Sequence, residues 1–391
     1  MILVINCGSS SAKYQLFDVK KHMPLARGVV ERIGQSASTL RHQAGGDTLH
    51  RKVSCKDHHT AINLIVGILT DERYGVISSK DEISGIGHRV VHGGEEFEES
   101  TLITEKVIRS IKIFSELDPL HNPPSLSGIM ACSKMLEGIP QVAVFDTAFH
   151  QTMPPAAFIY GLPFEYYKKY KIRKYGFHGT SHRFVAGEAA RLLKRPLNKL
   201  KLITCHLGNG CSMAAVDRGK SADTSMGFTP LEGLMMGTRS GDLDPAVVFY
   251  LMKKERLTPR RISDILNKES GLLGVSGESN DMRDILKKLR GKGEGAKRAG
   301  LAIDIFIYRI KKYIGAYQAV MGGLDAVVFT AGISENNPWL VNRVAKELKG
   351  VVRKRTKFMV VPTNEELLIA RDTHQIIDRR PQTEDHRPKT S

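Results

Sequence analysis

A strand–turn–strand pattern occurs twice in this chain, and it constrains the fold more than any other feature of the sequence. The first copy, MILVINCGSSSAKYQLFDV (Met1–Val19), has a buried-strand run, a small polar turn and an alternating second strand. The second copy, LITCHLGNGCSMAAVDRGK (Leu202–Lys220), follows the same plan. Gly8 and Gly208 occupy matching places in the two turns. A repeat of this kind predicts a duplication, with two related lobes.

The rest of the chain alternates apolar strand patterns with helical ones. Ile139–His150 reads as a buried strand that closes on Asp146, and Leu324–Pro338 as another that runs into a loop of small residues. Helical periodicity lies between these strands, for example in GEAARLLKR and GLAIDIFIYRIKKYIGAYQAVMGG. The pattern predicts an α/β fold in which helices pack on mixed sheets.

Composition excludes several classes of protein. A chain of 391 residues with 41% hydrophobic and 25% charged residues is typical of a globular protein of two or three domains. No apolar run approaches the ~20 residues that a membrane-spanning helix needs, and the opening MILVI is too short for a signal-peptide core. The five cysteines form no C-x-x-C pair, which favours reduced thiols and a cytoplasmic location.

The net charge of +17 is compatible with three kinds of partner, namely nucleic acid, an anionic membrane or small anionic substrates. Its densest segment, YYKKYKIRK (Tyr166–Lys174), interleaves tyrosines with basic residues, as a nucleic-acid binder would. The alternative is a solvated basic face with partly packed tyrosines. No recognisable nucleic-acid-binding motif lies nearby, so we expect small anionic substrates and no nucleic acid.

Three loops that follow apolar strands are rich in Gly, Ser and Asn: Gly8–Ser11, Gly208–Gly210 and Gly332–Asn336. Small residues let backbone N–H groups close around phosphate oxygens. None of the loops is a G-x-x-x-x-G-K-[ST] loop or a G-x-G-x-x-G dinucleotide fingerprint. A separate segment, GHRVVHGG (Gly87–Gly94), places an arginine and two histidines inside an apolar run.

These segments resemble the acetokinase family, from residue 2 to about residue 373 and in the family's order. The resemblance rests on INCGSSSAKYQLFD, GHRVVHGG, VFDTAFHQTMP, YGFHGTSH, HLGNGCS, DTSMGFTPLEGLMMGTRSGDLDP, GLLGVSGESNDMRDI, FTAGISEN and VVPTNEELLIARDT. It implies the duplicated, two-lobed, ribonuclease H-like fold of the actin/sugar-kinase/Hsp70 superfamily, with an interlobe cleft. We expect an N-terminal lobe at 1–147, joined by a C-terminal helix at about 366–380, a nucleotide-binding lobe at 148–365, and a polar tail at 381–391.

The resemblance also implies an activity, the reversible, magnesium-dependent transfer of the γ-phosphoryl group of ATP to acetate, which gives acetyl phosphate and ADP. Phosphoryl transfer needs in-line positioning and neutralisation of charge. By resemblance, Arg89 binds the acetate carboxylate, a task that suits the guanidinium fork, while Arg239 and His178 stabilise the moving phosphoryl group. The nearby His182 is interpreted as a packed core histidine.

Asp146 resembles the family's essential aspartate, often described as an acid or base. Acetate is already a carboxylate at neutral pH, so the nucleophile has no proton to lose. We therefore expect Asp146 to orient Arg89 or to hold the water shell of the magnesium ion.

Magnesium needs few protein oxygens, and the resemblance assigns it (with Mn²⁺ as a substitute) to Asn6 and Glu365, with Glu366 as the alternative to Glu365. Ser9, Ser11 and Lys13 match positions around the phosphates. The remaining nucleotide positions fall in three segments, namely His206, Leu207, Gly208, Asn209 and Gly210; Asp281, Met282 and Arg283; and Gly332, Ile333, Ser334, Glu335 and Asn336. The pocket for the acetate methyl group matches Val91, Leu120, Phe177 and Pro230.

Two features depart from the family pattern. Ser334 stands where the family usually has glycine, which requires a negative φ at that residue. About twenty residues of the pattern are absent after Asn336, a loss that loop entropy tolerates well.

The alternatives are a propionate or butyrate kinase of the same fold, a non-catalytic actin-like nucleotide-binding protein and a basic nucleic-acid binder. The presence of the family's catalytic residue types favours an enzyme, and the family implies a homodimer.

Overall fold

The computed structural model describes residues 1–379. The described residues divide into two compact units, one formed by residues 1–148 and 365–379 and the other by Phe149–Asn364. The tail expected at 381–391 lies outside the described residues.

Unit 1 is built on an eight-stranded sheet in the order β5-β4-β3-β2-β1-β6-β8-β7. Its strands are β1 (Ile2–Gly8), β2 (Ser11–Asp18), β3 (Met23–Glu31), β4 (Ser38–Ala44), β5 (Asp47–Val53), β6 (Gly85–Val90), β7 (Thr101–Leu102) and β8 (Gln141–Phe145). The first five strands form an antiparallel meander, and β6 runs parallel to both β1 and β8.

Four helices of the described residues belong to this unit: α1 (His58–Leu69), α2 (Glu105–Phe114), α3 (Asn122–Met135) and α14 (Glu365–Asp378). Asp57 caps α1 by accepting a hydrogen bond from the Thr60 N–H, which satisfies one of the free donors of the first turn. Helix α14 packs closely on β6, since a Cβ on Gly87 would lie 2.6 Å from Ile369. Glycine is therefore required in β6 to let α14 approach the sheet.

Unit 2 is built on a five-stranded sheet in the order β11-β10-β9-β12-β13. Its strands are β9 (Lys201–Leu207), β10 (Cys211–Asp217), β11 (Lys220–Thr224), β12 (Ala326–Thr330) and β13 (Lys357–Val360). Its helices are α4 (Pro155–Phe158), α5 (Phe164–Tyr170), α6 (Gly179–Leu192), α7 (Pro245–Lys254), α8 (Pro259–Asp264), α9 (Gly271–Ser276), α10 (Met282–Leu289), α11 (Glu294–Met321), α12 (Gly332–Glu335) and α13 (Pro338–Glu347).

The two sheets contain the same five-stranded arrangement. In unit 1 the order β3-β2-β1-β6-β8 runs through two antiparallel pairs and then two parallel pairs. In unit 2 the order β11-β10-β9-β12-β13 repeats that pattern. The hairpin turns that begin at Gly8, the last residue of β1, and at Gly208, just after β9, join the equivalent strand pairs. The predicted duplication is therefore present in the strand topology.

Candidate active site

Arg89 and Asp146 meet at one edge of the sheet of unit 1. Strands β6 and β8 are parallel neighbours with Arg89 opposite Val144, so the residue that follows β8 lies beside Arg89. The Arg89 guanidinium donates two hydrogen bonds to the Asp146 carboxylate, from Nη2 at 2.5 Å and from Nε at 3.3 Å. The Asp146 side chain is only 1% exposed, whereas that of Arg89 is 21% exposed. The buried carboxylate thus holds an arginine that keeps some access to solvent.

A second carboxylate, Glu365 at the start of α14, lies 3.8 Å from Arg89 Nε. Burial works against the Arg89 charge, but the attraction of Asp146 and Glu365 outweighs it, so the pKa of Arg89 is raised. Burial raises the pKa of Glu365 to about 7 in spite of the attraction of Arg89, and the negative charges of Asp146 and Glu366 add to this rise. The cluster therefore has three carboxylates, Asp146, Glu365 and Glu366, against two positive charges, those of Arg89 and Lys13.

The two histidines of GHRVVHGG, His88 and His92, are held by hydrogen bonds within the fold. His88 is buried and its Nε2 lies 2.7 Å from the Gln141 side-chain oxygen. Burial lowers the pKa of His88 to about 4, so this ring is neutral at physiological pH. The backbone N–H and C=O of His92 are both hydrogen-bonded to the Asn122 side chain, at 3.0 and 2.9 Å, which fixes the loop after β6. Arg89 is the permanently charged residue of this segment.

Asn6 and Lys13, opposite each other on β1 and β2, line a cavity of about 300 Å³ together with Glu366. Within residues 1–379, no three or more His, Cys, Asp or Glu side chains form a group that could hold a metal ion. The donors present are carboxylate and amide oxygens, and the pKa of Glu365 is raised by burial first and then by the neighbouring negative charges of Asp146 and Glu366. Both observations fit Mg²⁺, which prefers oxygen and keeps several of its water ligands.

His178 and Arg239 converge on Gly210 in unit 2. A Cβ on Gly210 would lie 3.7 Å from His178 Nε2 and 3.5 Å from Arg239 Nη1. His178 precedes α6 with φ 57° and ψ 24°, a left-handed conformation that is uncommon for a residue with a side chain. Arg239 Nη1 also donates to the backbone carbonyl of Pro230 at 3.2 Å. The missing side chain at position 210 leaves space in front of two hydrogen-bond donors.

The residues expected to surround the acetate methyl group have different exposures. Val91 and Phe177 are 6% and 3% exposed, and Pro230 is half-buried. Leu120, in the turn before α3, is 69% exposed. Val91 and Leu120 belong to unit 1, whereas Phe177 and Pro230 belong to unit 2.

The three segments expected to bind the nucleotide lie around one cavity of unit 2, with a volume of about 480 Å³. Its lining residues are Gly208, Asn209, Asn280, Asp281, Met282, Arg283, Gly332, Ile333, Asn336 and Asn337. Asp281 caps α10 and accepts side-chain hydrogen bonds from Arg283, which hold the pKa of Asp281 below its ordinary value. Leu207 and Ser334, which were also expected to bind the nucleotide, are fully buried and do not line the cavity.

The loop after β12 explains how Ser334 is accommodated. Ser334 lies in the short helix α12 with its hydroxyl donating to the Thr330 carbonyl at 2.5 Å, so the serine needs no glycine-like backbone angle. The unusual angle belongs to Ala331, which has φ 67° and ψ 169°. Glu335 holds this turn by accepting a hydrogen bond from the Ala331 N–H at 2.7 Å.

Sequence reasoning missed several polar residues of unit 2. Asn280 and Asn337 line the cavity, and Asn280 donates to the Asn209 side chain at 2.9 Å. Ser212 hydrogen-bonds to His178 and, by its other side, to His182. The sequence HGTSH gives only a weak signal for this shared partner, because His178 precedes α6 in a left-handed conformation and the i, i+4 rule for helical residues does not apply to it.

The basic segment that stood out in the sequence forms α5 and the turn after it. Lys168 lies over the ring of Phe164, Lys169 over Tyr170 and Lys171 over Tyr167, with 4.9–5.5 Å between each nitrogen and the ring centre. Cation–π pairs within the segment therefore account for the interleaving of lysines and aromatic residues.

The whole chain is similar to proteins of known family. Residues 1–352 match the acetokinase family. An acetate kinase of Halothermothrix orenii is 56% identical, over 96% of this chain and 99% of the relative. The crystal structure of Porphyromonas gingivalis acetate kinase superposes with a TM-score of 0.92 at 44% identity, over 96% of this chain and 99% of that one. A propionate kinase from Francisella tularensis superposes with a TM-score of 0.88 at 40% identity, with the same coverage.

The duplicated α/β fold shared with these proteins defines a phosphotransferase of the actin-like class, which confirms the predicted fold class. The chain belongs to the acetokinase family. No helix within the described part of the chain is long and apolar enough to cross a membrane.

Proposed function

We propose that this chain is an acetate kinase, an enzyme that reversibly transfers the γ-phosphoryl group of ATP to the carboxylate of acetate. The observation that carries the proposal is the Arg89 guanidinium, held in a two-hydrogen-bond pair by a buried aspartate in a chain of the acetokinase family. A carboxylate acceptor requires a fixed positive charge that can bind two oxygens at once. Arg89 meets that requirement, since its side chain remains 21% exposed.

The acceptor side of the reaction needs no general base. Acetate is ionised at neutral pH, and its oxygen attacks the γ-phosphorus without losing a proton. Arg89 orients the carboxylate and offsets its repulsion from the polyphosphate, which is severe where water is excluded. Asp146 acts as a positioning residue for Arg89, because both of its oxygens are occupied by that guanidinium.

The donor side is supplied by unit 2. The cavity lined by Gly208, Asp281 and Gly332 takes the nucleotide. His178 and Arg239 donate hydrogen bonds to the oxygens of the transferring phosphoryl group, in the space that Gly210 leaves open. Fixed donors at the place where charge is transferred supply much of the catalysis in phosphoryl transfer.

Asn6 and Glu365 are the residues that would hold Mg²⁺, with Glu366 beside them. The ion would neutralise phosphate charge when it is bound. Its arrival would relieve the excess of negative charge around Glu365, so Mg²⁺ with a non-hydrolysable ATP analogue should lower the pKa of that carboxyl from about 7. Carbon-13 NMR of the Glu365 carboxyl would measure this change, and a pKa that does not move would argue against metal binding there.

Trapping acetyl phosphate as its hydroxamate, with acetate, propionate and butyrate as acceptors, tests the function. We expect acetate to give the highest kcat/KM, with propionate weaker by about 10-fold, since one methylene in an apolar pocket changes binding by about 1–3 kcal/mol. The family resemblance assigns Val91, a buried residue of unit 1, to the pocket for the alkyl group of the acceptor, which would limit the length of the acid. A preference for butyrate, or no hydroxamate at all, would overturn the proposal.

Propionate kinase is the second candidate, because a structure with that name superposes at a TM-score of 0.88. The same assay separates the two functions. A kcat/KM for propionate that exceeds the value for acetate would select the second.

We also propose a homodimer in the cytoplasm. Helix α7 supports the dimer, since none of its residues is buried and Phe249 and Tyr250 are 71% and 64% exposed. The cysteines, all five of them free and buried, are consistent with a reducing compartment. Light scattering should give twice the chain mass, and Phe249→Glu should reduce it to one chain; a monomeric native protein would exclude the dimer.

A further inference from the structure

Three buried side chains of unit 2 form a continuous line of hydrogen bonds that ends at His178, which is partly buried. Thr204 Oγ1 lies 2.7 Å from His182 Nδ1. His182 Nε2 lies 2.8 Å from Ser212 Oγ, and the same hydroxyl lies 2.8 Å from His178 Nδ1. Thr204, His182 and Ser212 are 0% exposed, so water cannot replace any of these bonds.

The His182 ring is neutral. Burial lowers its pKa well below the ordinary value for histidine, and the neighbouring His150 and His206 lower it further. A neutral imidazole carries one proton, so one of its nitrogens donates and the other accepts. Each hydroxyl in the line also has one proton. The protons can therefore be donated toward His178 in all three bonds, or away from His178 in all three.

Thr204 decides between the two directions. Among the described residues, His182 is the one hydrogen-bond partner of the Thr204 hydroxyl. If the bonds ran away from His178, Thr204 would accept from His182 and its own proton would be buried without an acceptor. An unsatisfied buried donor costs about 1–3 kcal/mol. If they run toward His178, the Thr204 O–H donates to His182, and none of the protons of Thr204, His182 and Ser212 is left without an acceptor.

We propose that Thr204 and His182 set the tautomer of His178 through Ser212, and that they keep its proton on Nε2. The Ser212 O–H donates to His178 Nδ1, so a neutral His178 carries its proton on the nitrogen that lies beside the open space at Gly210. A neutral ring can then donate to a phosphoryl oxygen without adding a second positive charge next to Arg239. The role of the donated bond rests on the proposed function, whereas the tautomer does not.

His182 is in this respect a positioning residue. Its contacts are with Thr204 and Ser212, and its effect on the reaction passes through the proton of a different ring. The sequence interpretation of His182 as a packed core residue describes its burial. That interpretation does not say which nitrogen of His182 donates a hydrogen bond and which accepts one.

The test is ¹⁵N NMR of histidine side chains in the full-length protein, with the His178 signals assigned by their loss in His178→Gln. We expect the wild-type His178 to show a protonated Nε2 and an unprotonated Nδ1. In Thr204→Val, which keeps the shape but removes the hydroxyl, neither direction satisfies every group, so both tautomers of His178 should appear. Thr204→Ser keeps the hydroxyl and should retain the wild-type spectrum.

Ser221→Ala is the matched control, because it removes a buried hydroxyl that lies 2.8 Å from a different histidine, His150. It should leave the His178 signals unchanged. In kinetic assays, Thr204→Val should lower kcat about two- to fivefold with KM values for both substrates within twofold of wild type.

A wild-type His178 protonated on Nδ1, or a Thr204→Val spectrum identical to wild type, would overturn the proposal whatever the activity. If the tautomers behave as expected but His178→Gln keeps full activity, the tautomer control stands and the phosphoryl-binding role of His178 fails. The two failures are therefore distinguishable.

Discussion

Glu365 should destabilise the folded protein at neutral and alkaline pH, and Glu365→Gln should remove that effect. The pKa of Glu365 is raised from 4.5 in an unfolded chain to about 7 in the fold, chiefly by burial. Between these values the folded protein binds more protons than the unfolded one. The free energy of unfolding therefore falls as pH rises through this window and levels off above it.

The size of the effect follows from the two pKa values. Their difference corresponds to about 3 kcal/mol when both states are fully ionised, and the Glu365 side chain is only 19% exposed, so solvent screening is limited. The same linkage relation gives about 1 kcal/mol at pH 5 and about 3 kcal/mol at pH 8. Glutamine resembles the protonated acid in shape, so Glu365→Gln should exceed wild-type stability by these amounts.

Urea unfolding, followed by circular dichroism at pH 5, 6, 7 and 8 in metal-free and nucleotide-free buffer, measures the difference. Glu116→Gln removes an exposed carboxylate of the same unit and should stay within about 0.5 kcal/mol of wild type at every pH. If Glu365→Gln is no more stable than wild type at pH 8, the ion pair with Arg89 outweighs the burial of Glu365. The account of an over-charged carboxylate cluster would then be wrong.

Three other substitutions test separate parts of the site. Asp146→Asn should lower kcat/KM for acetate about 30-fold through loss of a charge-assisted hydrogen bond, with a flat pH–rate profile; recovery of activity by an added small-molecule base would contradict a positioning role. Gly210→Ala should fold normally, because the added Cβ lies at ordinary contact distances from its neighbours. Its kcat should nevertheless fall about 100-fold, because the methyl group fills the space beside His178 and Arg239. Full activity would show that the reaction does not use this space. Ala331→Gly should raise the free energy of unfolding by about 1 kcal/mol in urea titrations, since glycine adopts its backbone angles without strain; a lower stability would mean that the angle is not a source of strain.

The duplication and the three loops could be predicted from the sequence, because each depends on residues that are close together along the chain. Alternating strands and small-residue turns do not depend on distant contacts, so Gly8 and Gly208 could be matched from the chain alone. The cavity of unit 2 then brought together the segments around Asn209, Asp281 and Gly332, as the family resemblance implied.

Other properties could not be read from local patterns, because they arise from contacts between distant segments. The sequence places Glu365 far from Arg89 and Asp146, and only the packing of α14 beside β6 and β8 brings the three charges together. Leu120 matched an apolar pocket position, yet the turn before α3 leaves it mostly exposed. Burial depends on which elements fold over a residue, and one strand or turn does not determine that.

Backbone conformation shows the same limit at His178, a proposed catalytic residue, and at Ala331, which precedes the loop expected to bind the nucleotide. His178 and Ala331 both have positive φ angles, at 57° and 67°, although each carries a side chain. Such conformations cost on the order of 1–3 kcal/mol each and persist only where surrounding contacts fix them. The hydrogen bond to Ser212 fixes the His178 ring, and Glu335 holds the turn at Ala331. Six other described residues that carry side chains also have positive φ angles, among them Lys171 and Arg218, so a positive φ alone does not mark the site. What distinguishes His178 is that its side chain lies beside Gly210 and Arg239, and that proximity arises from contacts between distant segments.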